Sequence, residues 1–87
     1  MPARIKVTMD GQVSEQELHG MLTIGRSSAS NVVLHDAKAS RNHAVIQLHG
    51  NGIYYVLDLG SANGTFVNGK RVSVPVALRS GDRIEVG

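Results

Sequence analysis

At 87 residues the chain holds material for one domain, because a domain rarely shrinks below about fifty residues. Its 41% hydrophobic and 18% charged content excludes a disordered chain. The absence of cysteine excludes a disulfide framework or thiolate zinc site, and no apolar run is long enough to read as a signal peptide or membrane span. Nine Lys and Arg against seven Asp and Glu leave a formal charge of +2, with a pI near 9.4, which favours anionic partners only weakly.

Alternation of apolar and polar residues recurs from end to end, and no window repeats at helical spacing, so the chain reads as all β. Ile5, Val7 and Met9 share one face, and Asp10-Gly11 supplies a hairpin turn before Gln12 to Leu18 returns. Leu22 and Ile24 lead into Gly25, and the polar loop Arg26 to Asn31 separates them from a short buried strand, Val32-Val33-Leu34. A second polar stretch, Asp36 to Asn42, precedes a strand with Ala44, Ile46 and Leu48 on one face and His43, Gln47 and His49 on the other. Asn51-Gly52 turns it, and Ile53, Tyr55, Leu57 and Leu59 are expected to continue the core-facing period.

The loop Gly60 to Gly64 comes next. Phe66-Val67 is a short strand that Asn68-Gly69 turns into Lys70 to Val74, and Pro75 marks a break or sheet edge before Val76. Ser80-Gly81-Asp82 is the last turn, and Ile84 with Val86 begins a final strand that stops at Gly87. Many short strands with turn signals every eight to twelve residues or so describe a sandwich or barrel.

Three segments in order carry more: Gly25-Arg26, Ser40-Arg41-Asn42-His43, and the stretch from Asp58 through Gly60-Ser61-Ala62-Asn63-Gly64-Thr65 to Asn68-Gly69. Together they resemble the signature of the forkhead-associated (FHA) family: Gly-Arg after an early strand, Ser-x-x-His opening a middle strand, and Gly-Ser-x-Asn-Gly-Thr-x-x-Asn-Gly. The resemblance covers nearly the whole chain. It implies one FHA domain over residues 1–87, part of a longer polypeptide, folded as a β-sandwich of roughly eleven strands in two mainly antiparallel sheets. It also implies a function: binding, through loops at one end, of phosphothreonine-containing segments made by a Ser/Thr kinase, without catalysis, cofactor or metal, in the cytoplasm. Physics agrees, because a phosphate carries about two charges and three acceptor oxygens and needs convergent donors on a rigid frame.

Carried over residue by residue, the resemblance makes Arg26 a contact to the phosphate or adjacent peptide backbone, a role suited to a planar guanidinium. Ser40 matches a serine whose hydroxyl and backbone donate to the phosphate, and Arg41 the neighbour that does likewise. Asn63 matches the asparagine that pairs with the ligand main chain. Ser61 joins this peptide-binding set, and Lys38 falls where family members select the third residue after the phosphothreonine, which suggests an acid there. His43 braces the loops. Gly25, Gly64 and Gly69 meet backbone requirements, and Asn68 belongs with them in the structural motif.

Two departures from the pattern stand out. Position 62 is alanine where many relatives carry a polar residue, so one contact to phosphate is lost and binding is attenuated. Relatives also continue past the position of Gly87 into a last strand, here lacking, so that either the chain is a fragment or a strand-exchanged homodimer covers the edge.

Other readings are weaker. Ser40, His43 and Asp58 could be drawn as a hydrolase triad, but no nucleophile elbow surrounds the serine. His19, His35, His43 and His49 form no tight ligand pattern for a metal. Tyr54, Tyr55 and Phe66 are the whole aromatic supply and no basic run accompanies them, which leaves nucleic acid without stacking or phosphate tracking. The serious rival is a phosphate-independent scaffold or oligomerisation module of the same fold, which Ala62 favours and the set Arg26, Ser40, Arg41 and Asn63 opposes.

Overall fold

The computed structural model of the chain describes residues 3–9 and 12–86. The expected turn Asp10-Gly11 and the terminal Gly87 lie outside them. Ten strands are present among the described residues: β1 (Ala3–Met9), β2 (Gln12–Leu18), β3 (Met21–Gly25), β4 (Val32–Val33), β5 (Ala44–Leu48), β6 (Tyr54–Asp58), β7 (Thr65–Val67), β8 (Lys70–Arg71), β9 (Val76–Ala77) and β10 (Arg83–Val86). They form two five-stranded sheets, ordered β2-β1-β10-β7-β8 and β4-β3-β5-β6-β9. Most pairs are antiparallel; β1–β10 and β3–β4 are parallel. No described helix exists that is long and apolar enough to cross a membrane.

Period-2 patterning places the core as elementary strand geometry requires. Ile5 and Val7 of β1, Ile24 of β3, Ala44 and Ile46 of β5, and Ile84 of β10 are all but fully buried in one cluster between the sheets. On the opposite face of β1, Arg4 pairs with Glu15 and Glu17 of β2 in the solvent, where such pairs add less than about 1 kcal/mol each.

Strand β6 departs from the expected phase. Val56 is fully buried and Tyr54 packs against the core, while Ile53 and Leu59 are exposed. The register Ile46↔Val56 and Leu48↔Tyr54 sets those residues inward and Tyr55 and Leu57 outward. A run of four apolar residues carries no alternation to fix its own phase, and a one-residue slip exchanges the faces; pairing with β5 decides it.

At the edge where a missing strand was expected to leave a gap, β1 lies directly beside β10, with Val7 opposite Ile84. Sheet β2-β1-β10-β7-β8 is therefore continuous through that position.

The topology also gathers three loops at one end. Ile24 pairs with Ala44 and Ala44 with Asp58, so the C-terminal end of β3, the start of β5 and the C-terminal end of β6 share one rim. The loops that follow β3, precede β5 and follow β6 emerge there together.

Candidate phosphopeptide-binding rim

Gly25 begins the site with a close approach. A Cβ at this position would stand 2.2 Å from the Arg41 carbonyl oxygen, so only glycine lets the 40–43 segment lie against the end of β3. Across that contact run Arg26 N–H to the Ser40 carbonyl at 2.9 Å, Ser27 N–H to the Arg41 carbonyl at 3.1 Å and His43 N–H to the Ile24 carbonyl at 3.0 Å. The Arg26 side chain extends the weld, its Nε donating to the Ala39 carbonyl at 3.1 Å. The four N–H bonds on its Nη atoms remain for a ligand, on an exposed residue.

His43 sits at the centre, fully buried. Its Nδ1 accepts from the Ser40 N–H at 3.0 Å, which leaves the ring proton on Nε2, and Nε2 donates to the Gly64 carbonyl at 2.8 Å. Both ring nitrogens are thus engaged by backbone of two different loops. One expectation changes: the Ser40 backbone N–H, assigned to the phosphate, is held by this imidazole. The reason is local, since three residues separate Ser40 from His43 and the turn brings the amide onto the ring. The Ser40 hydroxyl accepts from Ala62 N–H at 3.2 Å and keeps its own proton to donate. Arg41 is exposed, and among the described residues neither its amide nor its guanidinium has a hydrogen-bond partner.

The 59–64 loop is built on Asp58. Its carboxylate accepts from Gly60 N–H, Ser61 N–H, the Ser61 hydroxyl and the Thr65 hydroxyl, an Asx-type turn closed by two side chains. Partial burial pushes this carboxyl up, yet the bonds from Ser61 and Thr65, with His43 adding a smaller attraction, hold it below the ordinary 3.8. The Ser61 hydroxyl also accepts from Gly64 N–H at 3.0 Å. Ser61, assigned to the peptide, is therefore an internal brace, because its oxygen and its proton are both engaged within the loop.

Asn63 ties this loop to the next, Nδ2 donating to the Lys38 carbonyl at 2.7 Å; its Oδ1 and second amide proton are left for a peptide. Lys38 is exposed and its own N–H is held by Asp36 Oδ1. Asn68 and Gly69 both take positive φ, 49° and 84°, the mirror-image turn that matches strand twist. Asn68 also bonds Asp82 and Arg83 N–H, away from the rim.

Arg26, Ser40, Arg41, Asn63 and Lys38 thus meet on one rim, with Gly25, His43, Ser61 and Gly64 holding it from behind. Asp58 and Thr65, the latter fully buried, were passed over as loop supports; the Asp-x-Gly-Ser pattern was the readable signal, an Asx turn waiting for its hydroxyls. Among the described residues no group of His, Cys, Asp or Glu is placed to hold a metal.

A sequence profile of the FHA domain matches residues 22–87. The chain belongs to the FHA family. It is 43% identical over 63 residues to the glycogen accumulation regulator GarA of Mycolicibacterium smegmatis, covering 72% of this chain and 39% of that protein. It is 39% identical over 64 residues to the FHA domain-containing protein FhaB of Mycobacterium tuberculosis, covering 74% of this chain and 41% of that one. The FHA chain thus spans about two fifths of these curated relatives. Its fold is similar to the N-terminal FHA domain of S. cerevisiae Rad53p, solved in complex with a phosphothreonine peptide, with a TM-score of 0.82 and 27% identity over 100% of this chain and 82% of the other.

Proposed function

We propose that this FHA domain is a phosphothreonine-dependent protein–protein interaction module, recognising segments of partner proteins after a Ser/Thr kinase has modified them. The observation that carries the reading is the convergence of donors without internal partners on a braced rim. The Arg26 Nη groups, the Ser40 hydroxyl proton, the Arg41 amide and the Arg41 guanidinium face no competing acceptor, while every supporting side chain behind them is hydrogen-bonded inward. Such preorganisation favours a dianion, because its three oxygens meet donors already in place. The phosphothreonine peptide bound by the Rad53p relative supports the ligand class.

Binding rather than catalysis fits the same geometry. The Ser40 hydroxyl bonds Ala62 N–H, His43 bonds backbone through both nitrogens, and Asp58 bonds Ser61 and Thr65, so no proton relay links the three. The reading places the domain in the cytoplasm with a protein partner, neither nucleic acid nor membrane. Within one copy β10 is flanked on both sides, by β1 and β7.

Titration with matched peptides tests the proposal. The phosphothreonine form should bind near the micromolar range, about −8 kcal/mol, and the unphosphorylated form at least about tenfold worse, or 1.4 kcal/mol. Equal affinity for the two would establish instead the phosphate-independent scaffold that Ala62 favours.

A further inference from the structure

Beside the 59–64 loop lies a groove of about 500 Å³ whose lining includes Leu57, Asp58, Ser61, Arg71, Val74 and Pro75. It opens where β8 of one sheet and the segment leading to β9 of the other part company. Ser61 forms part of its wall, and Ala62 and Asn63 of the same loop lie on the rim; groove and rim are therefore separated by one loop. Arg71 pairs with Phe66 across β7–β8, and its guanidinium carbon stands 3.2 Å from where a Gly64 Cβ would be, so the cation lies against that loop.

The groove holds one acid and one base that do not pair with each other. Asp58 has its oxygens engaged by Gly60, Ser61 and Thr65, and Arg71 is exposed with no ion pair among the described residues, so its guanidinium donors are open to a ligand. Apolar walls beside a guanidinium that makes no ion pair suit an acidic side chain whose neighbours are aliphatic.

We propose that this groove is a second, anionic subsite, in which Arg71 receives an acidic group on the flank of the same phosphopeptide that the rim holds. The inference rests on the phosphothreonine reading. An extended peptide advances about 3.3 Å per residue, so a few residues carry it from one side of the loop to the other. The anion is a carboxylate or a second phosphate, and both offer the bidentate oxygens that a guanidinium fits.

The test uses the chain as it stands and a phosphothreonine peptide with alanine flanks, into which one glutamate is placed at each flanking position in turn on either side. The readout is the affinity of each glutamate peptide divided by that of the alanine peptide, measured by fluorescence anisotropy within each variant so that any general loss cancels. For the wild type one position should gain about two- to fivefold, the worth of an exposed ion pair, and a second phosphate there about tenfold. Arg71→Gln should reduce both ratios to about one, and Arg71→Glu should turn the preference at that position toward lysine. A gain confined to phosphate identifies the second phosphate as the ligand, and a gain from both identifies a general anion site. If the alanine-flanked phosphopeptide binds but no ratio responds to Arg71, the subsite falls and the rim stands; if that peptide shows no phosphate dependence, the rim reading itself has failed.

Discussion

The Nε2 of His43 donates to the Gly64 carbonyl across 2.8 Å, tying the head of β5 to the loop before β7, while the same ring's Nδ1 holds the Ser40 N–H. One buried ring therefore sets the spacing between two of the three rim loops. His43→Ala orphans a backbone donor and a backbone acceptor and leaves a cavity, at about 2–5 kcal/mol. Chemical unfolding should register that loss. At temperatures where the variant is still folded, phosphopeptide affinity should also fall, because Ser40 and Gly64 are no longer held in register. A variant that binds normally would show that the loops are braced elsewhere.

Gly25 makes an opposite kind of prediction, since nothing is removed. An added methyl would sit 2.2 Å from the Arg41 carbonyl oxygen, and backbone cannot rotate away as a side chain tip can. Gly25→Ala should therefore destabilise by about 2 kcal/mol or more through overpacking and displace Arg41 from the rim. Gly50, where an added Cβ meets nothing within 4 Å, supplies the contrast: Gly50→Ala should lie within about 1 kcal/mol of the parent. Denaturant midpoints of the two variants check the pair, and equal midpoints would refute the close-contact argument.

Asp58 links stability to acid. Partial burial raises its pKa, and the hydrogen bonds from Ser61 and Thr65 lower it further than burial raises it, so that the folded value lies below 3.8. The folded state thus binds fewer protons than the unfolded chain. The resulting stabilisation is complete above 3.8 and is lost as pH falls from there through the folded value. Asp58→Asn should be less stable at neutral pH and should lose less on acidification below pH 4 or so. Parallel melting curves of the two proteins would show it, and an identical acid response would place the sensitivity elsewhere.

Much of this molecule was legible in its residues, for identifiable reasons. Asn68-Gly69 announces a turn because asparagine and glycine both accept the positive φ it needs, and Gly25-Arg26 with Ser40 through His43 announces the rim through their match to the FHA motifs. What stayed hidden depends on partners distant in the chain. Tyr54 and Val56 face the core only because β5 sets their register. The parallel seating of β1 on β10 joins the two ends of the chain, with no local pattern to foretell it. The resemblance assigned Ser61 and the Ser40 amide outward, whereas in this chain their direction is decided by Asp58 and His43. Residue type identifies what can donate; only the assembled loops say toward what.

Position 62 allows the rim to be improved. Ala62 is exposed, and its N–H donates to the Ser40 hydroxyl at 3.2 Å, so position 62 adjoins a rim hydroxyl. Replacing it by threonine adds one hydroxyl there without burying anything and without disturbing a backbone bond. If that hydroxyl reaches a phosphate oxygen, it should add about 0.5–1.5 kcal/mol, a gain of about two- to tenfold in phosphopeptide affinity. Affinity for the unphosphorylated peptide and the melting temperature should both stay where they are, since neither involves the new group. Calorimetric titration of Ala62→Thr against the parent measures the difference, and an unchanged phosphopeptide constant would mean that the phosphate sits farther toward Arg26, out of reach of the 59–64 loop.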